Sequence, residues 1–139
     1  MAESILRALG GTRFHAFSAG HVRSGALNPY MLDFVSQHHL PVAVLWSKTL
    51  DHFCLPDAPR VDFIITLCDG TASEHFRGWP GDPFVAHWSI ETGKDADDAL
   101  RDNFWTLMRR IKIFTSLPHG KLSRRLLERR ALTLQPSYL

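Results

Sequence analysis

The stretch that most constrains this chain is Phe63-Ile64-Ile65-Thr66-Leu67-Cys68, an apolar run broken only by Thr66 and preceded by Val61-Asp62. A short, continuous, β-branched and aromatic run reads as a strand covered on both faces, as in an α/β sheet. Asp69-Gly70 closes it, so the strand is expected over 61–68. Such a strand needs layers on either side, and the rest of the chain offers them as helices. Residues 2–9 put Ile5, Leu6 and Leu9 on one helical face, and Gly10-Gly11 ends that helix. Asn28-Pro29 opens a second helix with a capping Asn and a Pro at the first helical position. Its face carries Met31, Leu32, Phe34, Val35 and His38, and Leu40-Pro41 stops it. The third is the longest, over 95–117. Ala99, Leu100, Phe104, Leu107, Met108, Ile111, Phe114 and Thr115 recur at intervals of three and four there, before Pro118.

Between these lie weaker signals. Arg13-Phe14-His15-Ala16-Phe17-Ser18-Ala19 alternates and is rich in aromatics, which predicts a strand over 13–19. Pro41 to Trp46 reads as a strand or a buried connector, and Ser47 as the cap of a short helix through Phe53. Phe84 to Trp88 predicts another short strand. Residues 70–83 hold three Gly and two Pro and read as a loop. Lys121 to Leu132 reads as a basic amphipathic helix, a solvated element covering the domain. The alternation argues for an α/β three-layer sandwich with a parallel sheet. Doubly wound sheets begin with a strand whose following turn carries the anion-binding loop. This chain begins with the helix.

Composition narrows the function classes. The net charge is only +2, which gives no reason to expect nucleic acid as a partner. No run of about 18 apolar residues exists, so no membrane partner is expected. The N-terminus lacks a basic start followed by an apolar run, and there are two cysteines, Cys54 and Cys68. Together these predict a cytoplasmic protein with unbridged thiols, both buried as small hydrophobes. His38, His39, His52 and Cys54 match no standard metal-ligand spacing. Those histidines are expected in surface or partly buried roles and His87 packed at a strand end, and no metal or other cofactor is expected. The four Trp and nine Phe are read as core.

Several segments, in order, resemble the family of low-molecular-weight phosphatases and thioredoxin-coupled arsenate reductases. Met1 to Gly11 resembles that family's first helix. Phe17-Ser18-Ala19-Gly20 and Leu27-Asn28-Pro29 resemble the strand and helix start that follow. Ser47-Lys48-Thr49-Leu50-Asp51-His52-Phe53 resembles its Ser-Lys-Ser segment, and Asp62 to Asp69 its next strand. Trp79-Pro80-Gly81 and His87-Trp88 come in the expected places. The resemblance covers about residues 1–118 and leaves 119–139 as a basic C-terminal helix and tail.

The resemblance implies a family fold whose first, central strand is missing, because Met1-Ala2-Glu3 corresponds to the interior of the first helix. In the family an apolar strand and a loop of Cys, five residues and Arg come before it. The loop's backbone N–H groups hold a tetrahedral oxyanion and lower the Cys pKa for attack. Here Cys54 and Arg60 have that spacing, but the segment contains Pro56 and Pro59 and no Gly or Ser. Proline removes the N–H donors such a cradle needs. The family's general acid is an Asp in an Asp-Pro pair after His-Trp. Thr92 and Gly93 stand at that place, and a Thr hydroxyl is a poor proton donor near neutral pH. Of the two relay cysteines Cys68 matches the first, while Phe76 stands about where the second belongs, so no intramolecular disulfide can form there.

The resemblance therefore implies a chain without the family's activity. Two readings stay open, an N-terminally truncated form of an active reductase or phosphatase and a non-catalytic dimeric binding or regulatory module. For the chain as given the second is preferred. A homo-oligomer formed by strand or helix exchange is expected, since a missing central strand leaves unpaired edges. Thioredoxin is expected as a partner only if the missing segment exists.

Overall fold

The computed structural model describes residues 1–21, 25–67, 79–90 and 96–119. These form a mixed α/β protein with three α-helices and a two-stranded parallel sheet. The helices are α1 (Ala2–Gly10), α2 (Pro29–Gln37) and α3 (Ala96–Ser116), and the strands are β1 (Phe63–Thr66) and β2 (Phe84–His87). The described residues fall into two compact units, taken from Met1–His52 with Thr92–Ser116 and from Phe53–Glu91 with Leu117–Leu139.

The first unit holds the three helices. In α1 the innermost residues are Glu3, Ser4, Ile5 and Gly10, while Leu6 and Leu9 are half-buried, so of the predicted apolar face only Ile5 is fully inside. The helix stops at Gly11, whose φ of 56° is open to glycine and strained for other residues. Gly10 cannot be enlarged either, because a Cβ there would meet Phe14 Cβ at 2.8 Å. Helix α2 starts as its sequence predicts: the Asn28 side chain accepts a hydrogen bond from the Tyr30 N–H at 2.9 Å, with Pro29 in the first turn. Asn28→Ala is expected to cost about 1 kcal/mol, read as a lowered urea midpoint with an unchanged m-value. Helix α3 packs against α1 and buries Phe104, Leu107, Ile111 and Phe114 at helical spacing. Phe34 of α2 and His38, which caps its C-terminus, meet Phe104 of α3 with ring centroids 5.2 and 4.4 Å apart.

Residues 13–19 do not form the expected strand. Gly11–Arg13 make a 3-10 turn, and the chain then runs extended without ladder partners up to one isolated bridge between Gly20 and Thr49. The bridge is made by Gly20 N–H to Lys48 O at 2.9 Å and Leu50 N–H to Gly20 O at 3.1 Å. The aromatic alternation misleads here because strand preference measures packing on a half-buried surface. A helix supplies that surface instead. The Phe14 ring lies 5.8 Å from Phe114 of α3, and Arg13 Nη2 donates to Thr115 O at 2.6 Å. Residues 41–46 are neither strand nor buried connector. A turn closes from Leu45 N–H to Val42 O, and Val44 and Trp46 are about half exposed. The helix expected from Ser47 shortens to a 3-10 turn, Leu50–Phe53.

The second unit holds the sheet. β1 and β2 pair in parallel with Phe63 opposite Phe84 and Thr66 opposite His87. β2 buries Phe84 and Ala86 and half-exposes Val85 and His87. Phe63 and Ile65 of β1 pack on that buried pair. Both strands are shorter than their sequence signals, ending at Thr66 rather than 68 and at His87 rather than 88. Trp88 is buried just past the end of β2, and its N–H donates to Thr66 O at 2.8 Å. The Trp and Phe residues are not all core: Phe17, Trp46 and Trp105 are exposed. None of the described helices is long and apolar enough to cross a membrane.

Candidate functional site

Of the residues that the family resemblance marks as chemical, the structure describes only Cys54 and Arg60. Cys68, matched to a relay cysteine, and Thr92, at the general-acid position, lie outside the described residues, as do Phe76 and the basic segment 121–132. Cys54 is exposed, against the expectation of burial, in a bend just after the 3-10 turn Leu50–Phe53. A polar turn with two prolines offers it no apolar layer to enter. Arg60, six positions on, turns to Asp62 at 3.4 Å, with both side chains mostly exposed. Its stem lies along Gly81, where a Cβ would come within 3.3 Å of Arg60 Cγ. From Arg60 the chain runs into β1, not into a helix, so no helix N-terminus faces Cys54 along this segment. The Cys-five-Arg spacing is present without its anion cradle.

Two other arrangements come together that spacing did not announce. The first is centred on Glu3. Its carboxylate is almost wholly buried, with 1% of the side chain exposed, and Lys48 Nζ lies 3.4 Å away with 3% exposed. Arg7 donates to Glu3 Oε1 from Nε at 3.1 Å and from Nη2 at 3.0 Å, one helical turn along α1. Ser18 Oγ donates to Oε2 at 2.5 Å, and Lys48 donates to the same oxygen at 3.4 Å. A carboxylate has about four acceptor positions, and four donors fill them. Lys48 also donates to Trp46 O at 3.1 Å and sits 4.6 Å from the Trp46 ring centroid. Ser4, the neighbour of Glu3, donates its hydroxyl to Pro41 O. Burial lowers the pKa of the Met1 amine, and the Glu3 carboxylate partly offsets that effect.

A carboxylate saturated by donors has no lone pair to spare for taking a proton from a substrate. The Glu3 cluster therefore ties α1 to residues 18 and 48 and is not a general base. Only Glu3 and Arg7, at the i, i+4 spacing of a helical ion pair, could have been found from sequence. Nothing local links Glu3 to Ser18 or Lys48.

The second arrangement lies at the carboxyl ends of the parallel strands, where α/β sheets place their ligands. Thr66 Oγ1 and His87 Nδ1 share a hydrogen bond of 2.7 Å across the ladder, with Ala86 O 3.5 Å from the hydroxyl. His87 is thus at a strand end, as its sequence position predicts, held in one ring orientation. In the first unit, His38 donates from Nδ1 to Phe34 O at 2.8 Å and rests against Phe34, Phe104 and Trp105. Among the described residues no three His, Cys, Asp or Glu side chains gather as a metal-ligating group. Compared with known proteins, the chain matches no family model and no curated protein.

Proposed function

We propose that this chain is a non-catalytic relative of the low-molecular-weight phosphatases and thioredoxin-coupled arsenate reductases, acting as a binding or regulatory module. The observation that carries this reading is the state of its one Cys-five-Arg segment. Cys54 is exposed, Arg60 is turned to Asp62, and Pro56 and Pro59 remove donors from the backbone between them. In the family's loop the cation at this spacing and a helix N-terminus serve the thiol; here Arg60 is engaged by Asp62 and the chain runs on into β1. The family part of the proposal is supported by the ordered run of segments over about residues 1–118. A parallel β1–β2 pair with a helix following it is compatible with that ordering.

The test is turnover by the 139-residue chain. With p-nitrophenyl phosphate and with arsenate plus thioredoxin, no rate above the protein-free background is expected, and Cys54→Ser is expected to change nothing. A rate that Cys54→Ser abolishes would show a working thiolate and sink the proposal.

A further inference from the structure

One face of α3 is left in solvent, and its charges are ordered along the helix. Trp105 is 60% exposed at its centre, and Ile113 is 43% exposed further along. Asp98 lies seven residues before Trp105 and Lys112 seven after, both exposed. At about 3.6 residues per turn, seven residues return almost to the same side of the helix. Asp102 and Arg109, also exposed, flank the tryptophan by one turn on either side. The stripe therefore runs acid, acid, Trp, base, base. Among the described residues, Asp98, Arg109 and Lys112 make no ion pair within the chain.

We infer that this face of α3 pairs antiparallel with the same face of a second copy of the chain, about a two-fold axis at Trp105. A two-fold axis lying across the helix and in the plane of contact inverts height and keeps side. It sets Asp98 against the second copy's Lys112 and Asp102 against its Arg109, each pair occurring twice. Arg101, on the other flank, then faces Met108 rather than another cation. Trp105 meets its own image at the centre. A parallel two-fold would instead set Asp98 and Lys112 each against its own image and Arg109 against Met108, leaving only Asp102 and Arg101 matched, so the charge order favours the antiparallel arrangement. Trp and Arg are the residues that carry most binding energy at interface centres. The helix dipole accounts for an acid in the first turn. It does not account for a solvent-facing Trp105 with two cations on the same stripe one and two turns later.

The experiment is sedimentation equilibrium of the full chain over a range of concentrations and salt, with circular dichroism confirming that each variant is folded. The wild-type chain is expected to form a dimer whose dissociation constant rises at least tenfold in high salt. Asp98→Lys alone and Lys112→Asp alone each set like charges together and are expected to weaken the dimer at least tenfold. Mixing the two variants restores a carboxylate–cation match at every pair, so a heterodimer is expected where neither variant self-associates. Trp105→Ser is expected to weaken self-association with all charges kept. A chain that stays monomeric at a few hundred micromolar would overturn the inference, including one that binds phosphatidylserine vesicles as a monomer. So would a dimer that Trp105→Ser and both single charge changes leave intact, or single variants that fail to associate when mixed.

Discussion

Glu3→Ala is expected to destabilise the helical unit by about 3–5 kcal/mol, because it strands the buried Lys48 ammonium without its carboxylate. The magnitude follows from burial. Glu3 and Lys48 expose 1% and 3% of their side chains, so water can neither screen the pair nor replace the missing partner. Arg7 is a lesser contributor, since its side chain is 34% exposed and an exposed i, i+4 pair is worth about 0.3–0.5 kcal/mol. Ser18 and Lys48 would also lose the acceptor that joins them to α1. A loss of this size is a large part of the 5–15 kcal/mol that holds a typical domain folded. At the few degrees per kcal/mol usual for chains of this length, the midpoint should fall by roughly 10–20 °C.

The decisive comparison is a double-variant cycle. Glu3→Leu with Lys48→Met removes both charges and keeps apolar volume, and should cost clearly less than either single change. Thermal and urea unfolding of the four proteins measure this directly. A Glu3→Ala protein within 1 kcal/mol of wild type would mean that the pair is solvated in solution.

Phe104→Ala should have an effect of similar size, about 3–5 kcal/mol, for a different reason. Phe104 is fully buried, and its ring is enclosed by aromatic neighbours from two helices. Phe34 meets it edge-on at 5.2 Å, His38 lies 4.4 Å away, and Trp105 is at 5.1 Å. Truncation removes the ring's buried area and leaves a hole that rigid aromatic neighbours cannot close. Because Trp105 touches both Phe104 and His38, its fluorescence should change along with stability. Val44→Ala is the matched control. Val44 sits half-exposed in a turn and should stay within about 0.5 kcal/mol of wild type. Equal unfolding midpoints for the two variants would contradict the assigned core.

How much of this could be read beforehand depends on the range of the interaction. Asn28-Pro29 starts α2 and Gly11 ends α1 because caps are made by residues within one turn of each other. The spacing of Phe104, Leu107, Ile111 and Phe114 marked the buried side of α3 because a helix presents one face whatever covers it. Phe63 to Thr66 announced β1 in the same local way. Residues 13–19 were misread because their alternation could serve a strand or a segment lying on a helix, and the partner that decides, Phe114, is a hundred positions away. Cys54 and Arg60 show the converse error, a spacing that matches a motif in a backbone that cannot serve it.

Local pattern was enough to place the starts of α1, α2 and α3, the stop of α1 at Gly11 and the apolar sides of α3 and β2, because those depend on neighbours within a few residues. It took the folded chain to show that Ser18 and Lys48 share the buried Glu3 carboxylate, that Thr66 meets His87 across the ladder, and that Trp105 faces water. Each of those pairings or exposures depends on chain segments brought together from a distance. The free energy of burying a charge or an indole is set by what surrounds it in space, which no local pattern records.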